Sequence, residues 1–404
     1  MQKIIPIICF FVPLVISSLN IQGLISQFIS PALSQVVAYL NLVLIIIGVF
    51  LFRNSMGALS STNKLWFIFY LLYYSFGLLA LGVSGFKVSV IATLVPVIFN
   101  IGFYFLLSNK HQFRIFFKVV TTCFVISSFI TILLIKLNIN PYTGEVYDWA
   151  LDRAGGITGD PNAAAHNSIF AFIFFNHLFK PTKVALRILK YMILTIIFYS
   201  LILTFSTTGL FTFTIVFFII NYKFFTGIRL LLIAAVIPLF YVFIFSMKSQ
   251  VNTLGLSVAQ TGKVNNIINL LTFNFDEVDN SGRGDLVVNA LNYINENPIS
   301  GNGVDFAVQK HVHNTYVGIW VDAGIITLLF FLFMLGYLFI QTLSLRPEIR
   351  YFGIPILIVL YIFMISLQSV INQPYLIVLF TFAGYLIDHS KSDKSLDVLK
   401  NTVR

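Results

Sequence analysis

The residues best suited to chemistry lie in one polar stretch, Ser281 to Gly324, of a chain that is otherwise almost wholly hydrophobic. This stretch holds Arg283, the run Gly301-Asn302-Gly303 and the pair His313-Asn314. An arginine can bind an anion through two parallel hydrogen bonds, and a histidine can accept a proton near neutral pH. Because such groups are costly to hold in lipid, their concentration predicts a site of chemistry at a membrane surface.

A second polar segment contains Arg153 and three glycines and ends in Asp160-Pro161-Asn162. Aspartate before proline is typical of a helix start, where the first residue caps and the second begins the helix. The positive end of that helix would lie beside Arg153, an arrangement that suits an anion such as a diphosphate. The alternative is a turn at the membrane surface, with an arginine that reaches toward water.

Arg283 is predicted in the first turn of an amphipathic helix at the membrane–water interface. Ser281 is a typical N-cap, and Pro298 and the Gly301-Asn302-Gly303 run would end the helix. The apolar residues on one face of this helix are Leu286, Val287, Ala290, Leu291 and Ile294. A cation is disfavoured at a helix start, so Arg283 should have a partner: Asp279, Asp285 or an anionic ligand.

His313 comes just before a predicted membrane span. Near an interface it has either a structural role or the role of a general base. His311 and His313 are two residues apart, which is not a helical metal-binding pair, and no third ligand is evident, so no metal site is predicted. The chain has no Walker A loop, dinucleotide fingerprint or zinc-protease helix motif. We therefore expect no cofactor.

The composition predicts a polytopic all-α membrane protein. The chain has 404 residues, of which 58% are hydrophobic and 10% are charged, and its mean hydropathy is +0.91. A soluble domain carries about a quarter charged residues, and a backbone in lipid must satisfy its own hydrogen bonds. The two cysteines lie in apolar runs and indicate no disulfide framework. We predict twelve spans, at about residues 4–20, 35–52, 65–84, 88–107, 118–137, 161–179, 188–205, 208–224, 228–247, 316–342, 351–369 and 374–388.

The charge distribution predicts the orientation. With both termini in the cytoplasm, most of the 25 basic residues fall in inner segments and most of the 15 acidic ones outside, as the positive-inside rule requires. The basic excess is therefore an orienting device, and no nucleic-acid partner is expected. We interpret residues 1–404 as a single membrane domain with outer loops at 138–160 and 248–315 and a cytoplasmic tail at 389–404. The N-terminal apolar segment is interpreted as a retained first span, because no small-residue cleavage site follows it.

Three ordered motifs carry a resemblance to a known family. They are Arg153 with Gly156 and Asp160-Pro161-Asn162, then Ser281-Gly282-Arg283 with Asn297-Pro298-Ile299-Ser300-Gly301-Asn302-Gly303, and then His313-Asn314-Thr315-Tyr316 with Asp322-Ala323-Gly324-Ile325. Over residues 150–340 the chain resembles the O-antigen polymerase and O-antigen ligase superfamily of bacterial envelope glycosyltransferases. It departs from the family where members often carry a Ser-Arg pair, because this chain has Ser206-Thr207-Thr208-Gly209 there.

The resemblance implies transfer of a glycan from undecaprenyl diphosphate to an acceptor hydroxyl at the outer face of the bacterial inner membrane, with neither metal nor nucleotide. It implies that Arg153 and Arg283 hold the diphosphate and that His313 acts on the acceptor hydroxyl. The expected supporting residues are Asp160, Asn162, Asn314, Gly301 and Gly303. Expected partners are the lipid-linked donor, a glycan or lipid A-core acceptor, a chain-length regulator and membrane lipids.

Three functions remain open at this point. The first is a polymerase that joins lipid-linked repeat units into O-antigen or a related surface polysaccharide. The second is a ligase that moves the glycan to lipid A-core. The third is a transporter of lipid-linked glycans, which would favour ionisable residues inside the spans. Because nearly all the ionisable residues lie in loops or at span ends, we expect an enzyme.

Overall fold

Helices make up nearly all the regular structure of the protein. The computed structural model describes residues 4–84, 90–141, 143, 145–146, 151–225, 227, 255–272, 274–277, 283–367 and 369–392. The helices are α1 Ile4–Ser18, α2 Ile21–Phe28, α3 Pro31–Phe52, α4 Lys64–Ser84, α5 Val90–Thr93, α6 Val95–Leu106, α7 Lys110–Lys136, α8 Pro161–Leu178, α9 Val184–Leu203, α10 Thr207–Ile220, α11 Val258–Leu271, α12 Arg283–Glu296, α13 Phe306–Gln309, α14 Thr315–Leu343, α15 Pro347–Ser366 and α16 Pro374–Ser392. Two short strands, β1 Ile139–Asn140 and β2 Glu145–Val146, pair as an antiparallel hairpin.

Six described helices are long and apolar enough to cross a membrane: α3, α4, α7, α9, α14 and α15. The pair α1 and α2, bent by 63°, would make a seventh if it is one broken span. Helices α6 and α10 are apolar but shorter. These helices confirm the predicted fold class, an all-α polytopic membrane protein, whereas the count of twelve stays a prediction. The span predicted at 228–247 lies outside the described residues.

Several helices extend beyond the apolar windows from which they were predicted. Helix α7 begins at Lys110, eight residues before the predicted span start at 118, because Asn109 caps it by accepting from the N–H groups of His111 and Gln112. Its first three turns carry Lys110, Arg114 and Lys118. Hydropathy marks only the apolar part of a helix, so charged turns that project beyond it are missed.

Helices α8 and α16 form the centre of the bundle. Every residue from Ala163 to Phe174 in α8 and from Tyr375 to Ile387 in α16 is buried. A helix that is buried on all sides needs mainly apolar or small residues on all faces, which these segments supply apart from His166 and Asn167 in α8. Four phenylalanines, one from each of four helices, pack where α7, α8, α15 and α16 meet: Phe117, Phe174, Phe352 and Phe382.

Hydrogen bonds between helix ends identify one end of the bundle, which we call the site end. Thr315, at the start of α14, donates its hydroxyl to the carbonyl oxygen of Leu367, just after α15 (3.1 Å). Tyr375, at the start of α16, donates to the Asn167 side chain in the first half of α8 (3.4 Å). The starts of α8, α14 and α16 and the end of α15 therefore lie together.

The opposite end of the bundle is closed by a carboxylate. Asp388 accepts hydrogen bonds from the hydroxyls of Ser60 (2.6 Å) and Thr62 (2.7 Å) and from the Thr62 backbone N–H (3.1 Å). These bonds fasten the connection between α3 and α4 to α16. Most of the described basic residues also lie at this end: Arg53, Lys64, Lys110, Arg114, Lys180, Lys183, Arg187, Arg346, Arg350 and Lys391.

Candidate active site

The start of α8 has the predicted cap and proline. The Asp160 side chain accepts from the backbone N–H groups of Asn162 (2.6 Å) and Ala163 (3.2 Å), and Pro161 is the first helical residue. Proline fits there because its missing N–H would have no partner inside the helix. The cap fixes where α8 begins and therefore where Asn162 lies.

The start of α10 lies directly beside the start of α8. Ser206 caps α10 by accepting from the N–H of Gly209 (3.1 Å), and its hydroxyl donates to the Asn162 side-chain oxygen (2.8 Å). A β-carbon on Gly209 would lie 2.6 Å from that of Ala165, so glycine is needed for this close approach of the two helices. Two positively polarised helix ends therefore meet at one place.

Arg153 lies at the same place. Its Nε donates to the carbonyl oxygen of Thr204 (3.0 Å), and Ala154 donates its N–H to the carbonyl oxygen of Leu203 (2.9 Å). These bonds satisfy carbonyl groups at the end of α9 and hold the half-buried Arg153 side chain against the turn between α9 and α10. We call the residues gathered here the Arg153 cluster: Arg153, Asp160, Asn162 and Ser206.

The charges of the Arg153 cluster suit an anion. The exposed Asp160 carboxylate offsets part of the positive potential of α8, since it already accepts two of the backbone N–H groups. The guanidinium of Arg153 and the start of α10 supply the remaining positive potential. Ser206-Thr207 stands where the family often has Ser-Arg. This chain therefore has a helix start at that position in place of a second cation.

A break in α14 organises the other predicted motifs. Ala323 (φ −133°, ψ 15°) and Gly324 (φ 77°, ψ 175°) are not helical, which leaves backbone groups without partners inside the helix. Residues 297–303, which we call the docked loop, bond to these groups. Asn302 donates its N–H to the Val321 carbonyl oxygen (2.8 Å), and Ile325 donates to the Pro298 carbonyl oxygen (3.0 Å). The helix and the loop thus complete each other's hydrogen bonds.

Glycine is required at the contact between the docked loop and α14. Gly301 (φ 76°) and Gly324 (φ 77°) both have left-handed backbones, which favour glycine. A β-carbon on Gly324 would overlap the carbonyl oxygen of Ile299, and one on Gly301 would overlap that of Asp322. Gly303 (φ 129°) leaves room for Leu81 of α4. The predicted supporting residues Gly301 and Gly303 therefore have clear packing roles.

Asp322 is a structural centre whose importance was missed in the sequence analysis. This buried carboxylate accepts from the backbone N–H of Ala307 (2.6 Å) through one oxygen and from the hydroxyl of Tyr73 (2.6 Å) through the other. It joins α14 to α13 and to α4. Asp322 belongs to the motif Asp322-Ala323-Gly324-Ile325 and lies inside the span predicted at 316–342. An acidic residue inside a span needs hydrogen-bond partners, so its position alone could have indicated a structural role.

His313 lies just before the N-terminal end of α14. Asn314 caps that helix by accepting from the N–H of Val317 (3.1 Å), as expected of an asparagine before a helix, and His313 precedes it with an exposed side chain. Val312 is buried in a small apolar cluster with Ala290, Ile294, Phe306, Ala307 and Val321. This cluster anchors the segment on which His313 stands.

Arg283 is the first residue of α12, as predicted, and its side chain lies outside the described residues. Ser281, the predicted cap, is also outside them. The predicted apolar face of α12 divides in the structure. Ala290 and Ile294 are buried against the α14 cluster, whereas Leu291 is 46% exposed. Helix α12 therefore docks on the protein, and Arg283 belongs to an element attached to the His313 segment.

The structure places the predicted site residues in two groups at the site end. The Arg153 cluster lies at the starts of α8 and α10, and His313 lies at the start of α14. Val370, in the connection between α15 and α16, donates its N–H to the Thr315 hydroxyl oxygen (3.1 Å). Tyr375, at the start of α16, bonds to Asn167 of α8, so this part of the chain contacts both sides. Within the described residues, no group of three or more His, Cys, Asp or Glu side chains could hold a metal ion.

A comparison with known families agrees with this geometry. Residues 191–332 match the family model described as O-antigen ligase. This match confirms the predicted resemblance to the O-antigen polymerase and ligase superfamily. It extends from α9 through the Ser206 turn, the docked loop and His313 to the second half of α14. A search of curated proteins found no match to the chain.

The O-antigen ligase match has implications for function in general terms. The family implies a glycosyltransferase-like membrane enzyme that takes a lipid-linked glycan donor and an acceptor. Arg153 lies before the matched residues, and His313 lies within them. The site described above therefore combines one group inside the family match with one group outside it.

Because of the break in α14, alanine substitutions at two glycines of that helix should have very different effects on stability. Gly324→Ala places a β-carbon against the Ile299 carbonyl oxygen at a left-handed backbone position, whereas Gly336 has open space around it. We expect Gly324→Ala to lower the free energy of unfolding by at least about 2 kcal/mol. Gly336→Ala should leave it unchanged or raise it by up to about 1 kcal/mol, because alanine favours helix. Thermal unfolding in detergent measures both, and equal melting temperatures would contradict the role of the docked loop.

Proposed function

We propose that the protein is a polymerase that joins undecaprenyl-diphosphate-linked repeat units into O-antigen or a related surface polysaccharide. The observation that carries the proposed transfer from a lipid diphosphate is the meeting of Arg153 with the joined starts of α8 and α10, at the same end of the bundle as His313. An anion site and an exposed histidine are what transfer from a lipid diphosphate requires.

The Arg153 cluster is the proposed diphosphate site. Arginine matches the planar geometry of phosphate oxygens, and backbone N–H groups at helix starts add further donors. Arg283 is proposed as a second arginine on the diphosphate, carried by α12. Two cations can stabilise the negative charge that develops on the leaving diphosphate as its bond to the sugar breaks.

A groove beside the Arg153 cluster supports a lipid-linked donor. A lipid-facing groove of about 750 Å³ runs between α7 and α9, lined by Phe129, Leu133, Lys136 and Tyr199 among others. Helix α9 ends at the carbonyl groups that hold Arg153. An isoprenoid chain in this groove would therefore have its diphosphate next to the cluster, with Lys136 at the end of α7 adding positive charge.

The proposed reaction is a displacement at the anomeric carbon of the donor sugar. The acceptor hydroxyl oxygen forms the new bond to that carbon, and the bond from the carbon to the diphosphate oxygen breaks. Its electron pair leaves with undecaprenyl diphosphate, held by the arginines, and the hydroxyl proton passes to the imidazole of His313. Asn314 positions His313 by fixing the start of α14.

The proposed orientation places the site end outside the inner membrane and both termini in the cytoplasm. Basic residues concentrate at the opposite end among the described residues, which favours a cytoplasmic location for that end. Lipid-linked repeat units that have been moved across the membrane would then reach the site from the outer leaflet.

The second candidate is a ligase that transfers the glycan to lipid A-core. The description of the matched family, O-antigen ligase, favours it. The two reactions share the donor and differ in the acceptor. The proposed site residues are common to both.

An assay with purified protein distinguishes these functions. A polymerase should lengthen undecaprenyl-diphosphate-linked repeat units when no other acceptor is present, and gel analysis of the labelled glycan would show a ladder. A product that forms only when lipid A-core is added would replace the polymerase with the ligase. Absence of product with either acceptor would contradict both and leave a transporter.

His313 should be far more important than its neighbour His311. His313→Asn removes the proposed base, and we expect the turnover rate to fall by about 10²–10⁴-fold. His311→Asn is the matched control, since His311 is also exposed and its left-handed backbone (φ 55°) accepts asparagine. Polymer formation and protein yield should be measured for both variants. Similar turnover in both would remove the proposed role of His313.

Arg153 should be needed for binding of the lipid diphosphate. Arg153→Gln removes the charge, and Arg153→Lys keeps the charge without the planar fork. We expect Arg153→Gln to weaken binding of undecaprenyl diphosphate by about tenfold or more, with Arg153→Lys in between. Arg346→Gln, at the opposite end, serves as a control. Equal affinity in all four proteins, the wild type included, would place the diphosphate elsewhere.

A further inference from the structure

A polar cavity at the site end is used by none of the roles assigned so far. It has a volume of about 300 Å³ and lies between α5, the segment before α13 and the connection from α15 to α16. Its polar lining comes from all three places: Thr93, Asp305, Ser369, Asn372 and Gln373. A cavity of this size with several converging polar groups is typical of a small-ligand site.

We propose that this polar cavity binds sugar hydroxyls of the acceptor glycan. The proposal rests on the proposed glycosyl transfer and adds the place where the acceptor is held. The side chains supply two amides, the Ser369 hydroxyl and one carboxylate, while the Thr93 hydroxyl already donates to the Val90 carbonyl oxygen (2.7 Å). Amides and hydroxyls both donate and accept hydrogen bonds, and a carboxylate accepts them strongly, which matches the alternating donors and acceptors of a saccharide.

The charge of the cavity suits sugar hydroxyls and disfavours a diphosphate. Asp305 is the charged group among the described lining residues, and a carboxylate repels a diphosphate. The Arg153 cluster has the opposite character, with a guanidinium and two helix starts. Sugar hydroxyls therefore fit the cavity, whereas a diphosphate fits the cluster.

Asp305 is held firmly in an unusual conformation. Its backbone is left-handed (φ 64°), which is uncommon for a residue other than glycine. One carboxylate oxygen accepts from the Asn372 side chain (3.2 Å), and its carbonyl oxygen accepts from the Gln309 N–H (3.2 Å). Partial burial raises the pKa of the Asp305 carboxyl, while a hydrogen bond from the Gln309 side chain lowers it. Strain that surrounding contacts maintain in this way is a feature of functional sites.

The cavity is connected to the His313 segment on two sides. Val312 donates its N–H to the Ala307 carbonyl oxygen (2.9 Å), so the chain from Asp305 to His313 folds back on itself. On the other side, Val370 lies next to Ser369 and donates to the hydroxyl oxygen of Thr315, two residues after His313. The cavity and His313 are therefore built on the same two parts of the chain, the segment from Asp305 to His313 and the connection from α15 to α16.

Two variants from different elements test the proposal. Asp305→Asn removes the charge, and asparagine tolerates the left-handed backbone. Asn372→Leu replaces the amide with an apolar side chain of similar size. The probe is the free oligosaccharide released by mild acid from the cell's own lipid-linked repeat units, with binding measured by calorimetry. We expect each variant to weaken its binding by about tenfold and to leave undecaprenyl diphosphate binding unchanged. Lys310→Gln, a nearby exposed residue outside the lining, is the control.

The outcomes separate this inference from the proposed polymerase. If the wild type forms polymer but both variants bind the oligosaccharide as tightly as the wild type does, the acceptor site is wrong and the polymerase stands. If both variants weaken oligosaccharide binding but no polymer forms with any acceptor, the glycan site stands and the polymerase is wrong. If the wild type does not bind the free oligosaccharide, the inference is overturned. Thermal unfolding of each variant confirms that it is folded.

Discussion

The arrangement of the site depends on the break in α14 and on the hydrogen bonds that compensate for it. In a membrane helix, a backbone group without a partner costs several kcal/mol. The docked loop supplies partners to Val321, Asp322 and Ile325, so the break and the loop exist only together. The same contact anchors α12 and α13 and positions the segment that carries His313. A single backbone irregularity therefore determines where the docked loop meets the segment from His313 to Gly324.

The site end has an uneven charge distribution that suits two different ligands. The Arg153 cluster gathers a guanidinium and two helix starts, while the polar cavity contains a carboxylate, amides and hydroxyls. His313 follows the segment that begins at Asp305 and lies at the start of α14. In the proposed transfer, the donor diphosphate and the acceptor sugars would then approach the histidine from regions of opposite character.

Local signals predicted the local structure well. The Asp160 cap and the helix at Arg283 follow from residues within one or two turns of each other. Contacts between distant parts of the chain were not predictable in this way. The bond from Ser206 to Asn162 and the two partners of Asp322 depend on which helices become neighbours, and hydropathy carries no such information. Hydropathy also misplaced the start of α7, whose first turns are charged.

The bond between Tyr73 and Asp322 has a consequence for biosynthesis. The two residues are 249 positions apart, so α4 is inserted into the membrane long before its partner is translated. The docked loop is likewise synthesised before the helix that completes its hydrogen bonds. The site end therefore assembles late, after α14 has emerged from the ribosome. Until then the early helices lie in the membrane without the partner that orders the site, and the unfinished chain is exposed to membrane quality-control proteases.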